Sequence, residues 1–514
     1  MLETVPFPVR PSAAGAPQTL GRIVIWPGGE IGQKWIPVAR YLQEKTGASI
    51  SLLCVQPKEQ ERYQKWWGPL ASHVQAIGSL YDDLQAPLES LQALEREARE
   101  AERAYGVAMI DLIQADRQLG LAYATGGLSW IRPSRLRDVT YHASLRLALR
   151  VLRFFDAYLE EHKPDVILLQ GIASLPTKCL AVAARRRGVA IRVPLSRFRN
   201  LLFWVGNEFY DMPWLQAAYA RQPLNGSAPA PKVEGPYLAS AVRRRKRVEL
   251  LSLRGTLAEC WGQLTRVLYQ RVRGLEKPGG YRLRDRLAFT LRAYRQHRFW
   301  ERHSFQDAAA LDGARYVLYL LQQEPESSLM VRAPEFNNQA AVIDLIAKSL
   351  PADVRLVIKE HQTNHVAARP AGYYDWLARI PNVLLASMHL NSVPLIERSL
   401  AMVVITGTAG FEAAALGVPV VSFGRRNFYH GPPHVHVVDR LSEVRPLLAR
   451  LCEEEPPDAR LARVREGQRF ISALRSCAVD MDAEQFFTAE APVSKAKSVQ
   501  IAELLLASLK EPTA

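Results

Sequence analysis

Three short polar segments in the second half of the chain carry residues able to bind or move charge. They are Gln322-Gln323-Glu324-Pro325-Glu326-Ser327, Lys359-Glu360-His361-Gln362 and Thr406-Gly407-Thr408-Ala409-Gly410-Phe411-Glu412. The third reads as a tight Gly/Thr turn opening a short helix. Free N–H groups at a helix start attract anions. Thr406 and Thr408 add hydroxyl donors, and Gly407 and Gly410 let a phosphate approach the backbone. His361 can hold a phosphate oxygen and stabilise the negative charge that grows as a glycosidic bond breaks. Glu326, Glu360 and Glu412 can accept hydrogen bonds from sugar or ribose hydroxyls, and Lys359 supplies a cation beside them. Together these side chains suit a nucleotide-activated sugar.

Other chemistries lack their residues. The chain has no G-x-x-x-x-G-K-[ST] loop, no G-x-S-x-G elbow, no H-E-x-x-H and no correctly spaced G-x-G-x-x-G. His361 and His365 are four apart but follow a strand pattern. His430, His434 and His436 lie among prolines with no neighbouring carboxylate or cysteine. No metal is expected at either group, and the second is expected to rim an anionic ligand. No cofactor is called for beyond a nucleotide-sugar co-substrate.

The elements that must position these segments follow from hydrophobic patterning. Arg315–Leu320, Arg355–Ile358 and Val403–Ile405 read as buried strands, and each precedes one polar segment. Loops after parallel strands gather on one edge of a sheet, where ligands bind. The first half repeats this α/β pattern in the strands Arg22–Trp26, Ala48–Val55, the run Pro164–Gly171, and Val189–Val193. The expected fold class is α/β, with two Rossmann-like domains facing a cleft, with helical insertions. The expected layout is a flexible arm over 1–20 and a first domain over 21–235 with a helical insert at about 57–160. A basic helical linker over 236–311, a second domain over 312–454 and a helical tail over 455–514 complete it.

Size and composition agree with a folded protein of several domains: 514 residues, 48% hydrophobic and 23% charged. Five scattered cysteines without a C-x-x-C favour a reducing compartment. No segment has the roughly 20 apolar residues of a membrane span, and the N-terminus lacks a signal pattern. A cytoplasmic location is expected, with any membrane work done peripherally, from the inner face of the inner membrane. The formal net charge is +15, and residues 243–303 hold 17 Lys/Arg against 5 Asp/Glu. A solvated helical face and an anionic membrane surface are the two leading readings of that Arg243–His303 segment. Nucleic acid has no accompanying motif.

The order Gln323-x-Pro325-Glu326-Ser327, Asn338-Gln339, Leu356-Val357-Ile358-Lys359-Glu360-His361, Ile380-Pro381-Asn382-Val383, Gly407-Thr408-x-Gly410-x-Glu412-Ala413 and Gly417-x-Pro419-Val420 resembles the bacterial capsule polysaccharide biosynthesis proteins, including Kdo-transferase-type glycosyltransferases. The resemblance implies a metal-independent, two-domain enzyme of GT-B type. Its C-terminal domain would bind a CMP-linked acidic sugar, and its N-terminal domain a glycan or glycolipid acceptor. It places His361 at the donor phosphate, Thr408 and Gly410 in the phosphate turn, and Glu326 and Glu412 in the donor pocket. The chain carries Gln362 where that family has proline, which leaves the His361 backbone less restrained. Transfer needs a base or nucleophile on the acceptor side; Glu30 and Asp116 are the two candidates. A sugar-nucleotide epimerase, a polyol-phosphate transferase and a non-catalytic assembly or export partner are the alternative readings.

Overall fold

The structure, a computed structural model, describes residues 20–78, 84, 90–116, 119, 139–197, 200–207, 209–223, 252–272, 283–322, 327–361, 369, 372–424, 427–482, 484, 486–487 and 493–510. Residues 1–19 of the expected N-terminal arm, the basic run Arg243–Arg247, Glu326, Gln362 and His365 lie outside them.

In chain order the strands are β1 (Arg22–Trp26), β2 (Ser49–Cys54), β3 (His73–Ala76), β4 (Val166–Leu169), β5 (Ala190–Arg197) and β6 (Leu201–Gly206). They continue as β7 (Ser304–Phe305), β8 (Tyr316–Leu320), β9 (Arg355–Lys359), β10 (Val383–Ala386), β11 (Ala401–Val404), β12 (Val420–Ser422), β13 (Val435–Val437) and β14 (Val479–Asp480). They form two seven-stranded sheets, ordered β14-β6-β5-β4-β1-β2-β3 and β13-β12-β11-β8-β9-β10-β7. The first is parallel from β5 to β3, with β6 and β14 added antiparallel. Every pairing in the second is parallel. Helices between the strands supply the crossovers that parallel pairing requires.

The central strands are buried throughout: Val-Ile-Leu-Leu in β4 and Ala-Met-Val-Val in β11 have no exposed residue. Each such Val, Ile or Leu contributes about 1.5–3 kcal/mol by leaving water. That is why these runs read as continuous apolar segments rather than alternating ones.

The described residues of Met1–Ala115, Val139–Arg221 and Ala473–Ala514 pack as one compact unit, and those of Asp116–Asp138 and Gln222–Ser472 as another. The C-terminal residues therefore do not stand apart as a tail. β14 pairs with β6, and the helix Lys495–Lys510 packs against the helix Trp35–Thr46. Buried polar contacts hold it there: Arg192 donates to the Ser508 carbonyl at 2.7 Å, and the Trp204 indole N–H to the Ile501 carbonyl at 3.1 Å. The segment expected as a linker supplies two long helices, Leu253–Val272 and Leu283–His303, to the second unit. The expected helical insert at 57–160 also holds β3, which extends the first sheet beyond β2.

Candidate functional site

In the second unit the chain winds from β8 outward through β9 to β10, then returns to place β11 on the other side of β8. The strand order thus reverses between β8 and β11, and ligands of open α/β sheets bind in the crevice outside the carboxyl ends at such a point. All three polar segments issue from that edge. β9 and β11 flank β8, so the strand ends that precede His361 and Thr408 stand about 10 Å apart, two strand spacings.

Gln322, just past β8, ties the three loops together. Its N–H donates to the Gln339 side-chain oxygen at 2.8 Å, and its carbonyl accepts from Arg369 at 2.6 Å. With its amide oxygen turned toward the Gly/Thr turn, the assignment that satisfies both ends, it accepts from the Thr406 N–H at 3.1 Å and also from the Gly407 N–H. A Cβ on Gly407 would lie 2.9 Å from that amide, and one on Gly410 2.9 Å from a Val404 methyl and 3.0 Å from the Tyr429 hydroxyl. Gln322, Val404 and Tyr429 therefore require these two glycines, where the sequence suggested a phosphate doing so. Tyr429 also donates to the Gly407 carbonyl at 3.0 Å, and Arg332 reaches the Asn427 side-chain oxygen at 3.0 Å.

This bonding narrows the anion cradle. Thr406 is buried and engaged with Gln322. The N–H groups of Gly410, Phe411 and Glu412 bond to the carbonyls of Gly407 and Thr408. Among the described residues, the N–H groups of Thr408 and Ala409 find no acceptor. Those two amides and the Thr408 hydroxyl, which caps nothing, form the part of the turn available to a phosphate. Glu412 is half-buried on the first turn of the helix Ala409–Ala415, and burial pushes its carboxyl up to about 7. A neutral carboxyl beside an anion site donates a hydrogen bond instead of repelling.

Glu360 corrects the sequence reading. It is fully buried, and its carboxylate accepts from Arg369 through both oxygens at 2.9 Å, from Tyr374 at 2.6 Å and from the His361 N–H at 2.7 Å. Burial alone would raise its pKa; Arg369, Tyr374 and the His361 N–H overcome this and hold it below its ordinary value. Glu360 therefore aims the His361 backbone and is closed to a sugar. His361 itself is exposed at the edge, while Lys359 is buried in β9. His434 is another correction: it is buried against the Ala414 carbonyl at 2.8 Å and does not rim a ligand.

The first sheet has its own reversal, between β1 and β4. The loop after β1 carries Gly28 and Gly29 at positive φ and leads into the short 3-10 helix Gly29–Lys34, whose main chain includes Glu30. Gly28 packs on Gln170, just past β4. Asp116 is largely buried and accepts from the Leu119 N–H at 3.3 Å, closing a turn. Sequence reasoning assigned no role to Gln322, Arg332, Arg369, Asn427 or Tyr429. Gln322 sat in a segment already singled out, whereas the others are set by partners distant in the chain.

The described residues thus form two Rossmann-like α/β units, the second with a polar site at its switch point. Residues 269–432 match the family model described as "Capsule polysaccharide biosynthesis protein", the family that the motifs resemble. No curated protein matches the chain. Among solved structures, the chain is similar to the UDP-GlcNAc 2-epimerase from Methanocaldococcus jannaschii, at 12% identity over 88% of this chain and 99% of that one, with TM-score 0.23. It is also similar to a kitacinnamycin glycotransferase, at 12% identity over 96% and 100%, with TM-score 0.25. The UDP-GlcNAc 2-epimerase from Neisseria meningitidis gives 11% over 89% and 100%, with TM-score 0.20. At these scores the likenesses decide nothing about function.

Proposed function

We propose that the protein is a glycosyltransferase of capsule or surface polysaccharide synthesis that takes its sugar from a nucleotide-activated donor, of the CMP-linked acidic type that the resemblance implies. The observation that carries this reading is the convergence of three strand-end loops at the β8/β11 reversal, inside the segment that matches the capsule family. In this reading the Thr408 and Ala409 amides hold the donor phosphate, and His361 stabilises the charge that grows on it. Glu326 and Glu412 bond to donor hydroxyls. An acceptor hydroxyl of a glycan or glycolipid attacks the anomeric carbon, and the bond to the phosphate oxygen breaks. The nucleotide leaves with the electron pair, and a carboxylate, Glu30 or Asp116, takes the hydroxyl proton. No metal takes part in that step.

The protein is further proposed to work at an anionic membrane surface. Among the described residues no helix is long and apolar enough to cross a membrane. The helix Leu253–Val272 instead exposes Leu253, Leu257, Trp261, Leu264, Leu268 and Val272 at helical spacing, with Trp261 67% and Val272 79% exposed. Exposed Arg254 and Arg266 share this helix. An apolar stripe with arginines is the make-up of an interfacial helix.

Incubating the full chain with CMP- and UDP-sugars and a glycolipid acceptor, followed by product analysis, tests the transfer. Transfer from one donor, lost in His361→Ala together with donor affinity, is the expected result. A folded protein that transfers no sugar from any donor refutes it. Conversion of the donor without acceptor would mark an epimerase.

A further inference from the structure

We propose that His297, Glu301 and His389 form a binding site for a divalent transition metal of the zinc class. His297 and Glu301 lie one turn apart on the helix Leu283–His303, and His389 comes from the turn after β10. One ligand atom from each lies within 4.8 Å of the other two. His389 Nε2 stands 3.9 Å from Glu301 Oε1. A tetrahedral zinc with bonds near 2.0–2.1 Å sets its ligands about 3.3 Å apart, so small side-chain rotations close the site.

Two atoms in this group call for an occupant. His297 Nδ1 and Glu301 Oε1 are both buried and have no hydrogen-bond partner. His297 is only 9% exposed. Buried polar atoms left unpaired are uncommon and costly, and a cation held between the His297 ring and Glu301 would offset that cost.

The frame around the group is fixed without a metal. The Trp300 indole N–H donates to the Ala386 carbonyl at 3.1 Å, and the Ser387 N–H to the Phe305 carbonyl at 3.0 Å. The Ser387 hydroxyl approaches the second Glu301 oxygen at 3.5 Å. Helix and turn are thus held in register before any ion arrives. Two imidazoles and one carboxylate select zinc-like ions over magnesium or calcium. The group sits past β10, two strands from β8, so the ion would clamp the basic helix onto the sheet edge.

The test uses the full chain stripped with a chelator, then titrated with zinc by calorimetry and checked by elemental analysis. One equivalent should bind, and the unfolding midpoint should rise by several degrees, with magnesium giving neither effect. His389→Ala and Glu301→Gln should each weaken zinc binding at least tenfold. His389 is exposed, so the metal-free His389→Ala protein should melt near the wild type and remain a fair comparison. Absence of zinc uptake overturns the proposal. Equal uptake by wild type and both variants also overturns it, since the ion would then sit elsewhere, as on the histidines near His434. A simple ion pair between His389 and Glu301 predicts the first of these outcomes.

Discussion

Arg369 has no neighbour in sequence that announces its partner, yet it is one of the largest fully buried side chains and grips Glu360 with two nitrogens. Removing one member of such a pair leaves a buried charge alone, which costs about 3–5 kcal/mol. Arg369→Met should therefore lower the unfolding midpoint sharply, and a calorimetric scan near the wild-type value would contradict the pairing. The sequence marked Glu360 as chemically useful but not its role, because that role depends on a guanidinium nine positions on and a phenol fourteen positions on. Glu412 makes a pH-dependent prediction. Its folded pKa of about 7 lies above its ordinary 4.5, so the folded state holds the proton where the unfolded chain releases it. The resulting stabilisation is complete below about 4.5 and is lost as pH rises to about 7, at most about 3 kcal/mol. Glu412→Gln should flatten that part of the stability profile. Equal slopes for the two proteins in denaturant titrations across this range would refute the shift.

At the level of elements, hydrophobic runs located the strands that carry the site: β8, β9 and β11 fall within a few residues of their expected places. β7 and β14 have two residues each, too short to show a period of two, and β13 hides in a stretch rich in proline and histidine. The Gly/Thr unit was legible as strand, turn and helix. What presses on it was not. The helix Pro457–Ser476 crosses it so closely that a Cβ on Gly467 would lie 2.6 Å from the carbonyl oxygens of Ala414 and Ala415. Backbone cannot yield as a side-chain tip can, so Gly467→Ala should cost about 1–3 kcal/mol; an unchanged melting point would show that the helices slide apart freely. The stripe on the helix Leu253–Val272 makes a binding prediction. Trp261→Glu should reduce flotation of the protein with vesicles containing anionic lipid, without lowering its melting point, since Trp261 is exposed. Flotation unchanged by Trp261→Glu would remove this face from any membrane contact.

On the scale of the whole molecule, composition and patterning made two α/β units legible, but not their boundaries. The expected tail over 455–514 is divided at Ser472: the residues before that point belong to the second unit and those after it to the first. Short-range patterning registers a helix without registering which sheet it returns to. Removing residues 495–514 should expose the buried faces of Trp204 and the helix Trp35–Thr46 and leave Arg192 without its Ser508 partners. Such a truncation is expected to be insoluble or protease-sensitive in its first unit. A truncated chain with native resistance to limited proteolysis would show the C-terminal helix to be dispensable.

The closing contacts of the first sheet carry a consequence for how a ribosome must make this protein. Domains generally fold in the order they emerge, at about 5–20 residues per second. Here the amino-terminal half waits, missing its last strand and helix, until the entire second half has been translated. During that delay, the edge of β6 and the surface reserved for that helix are without their native cover.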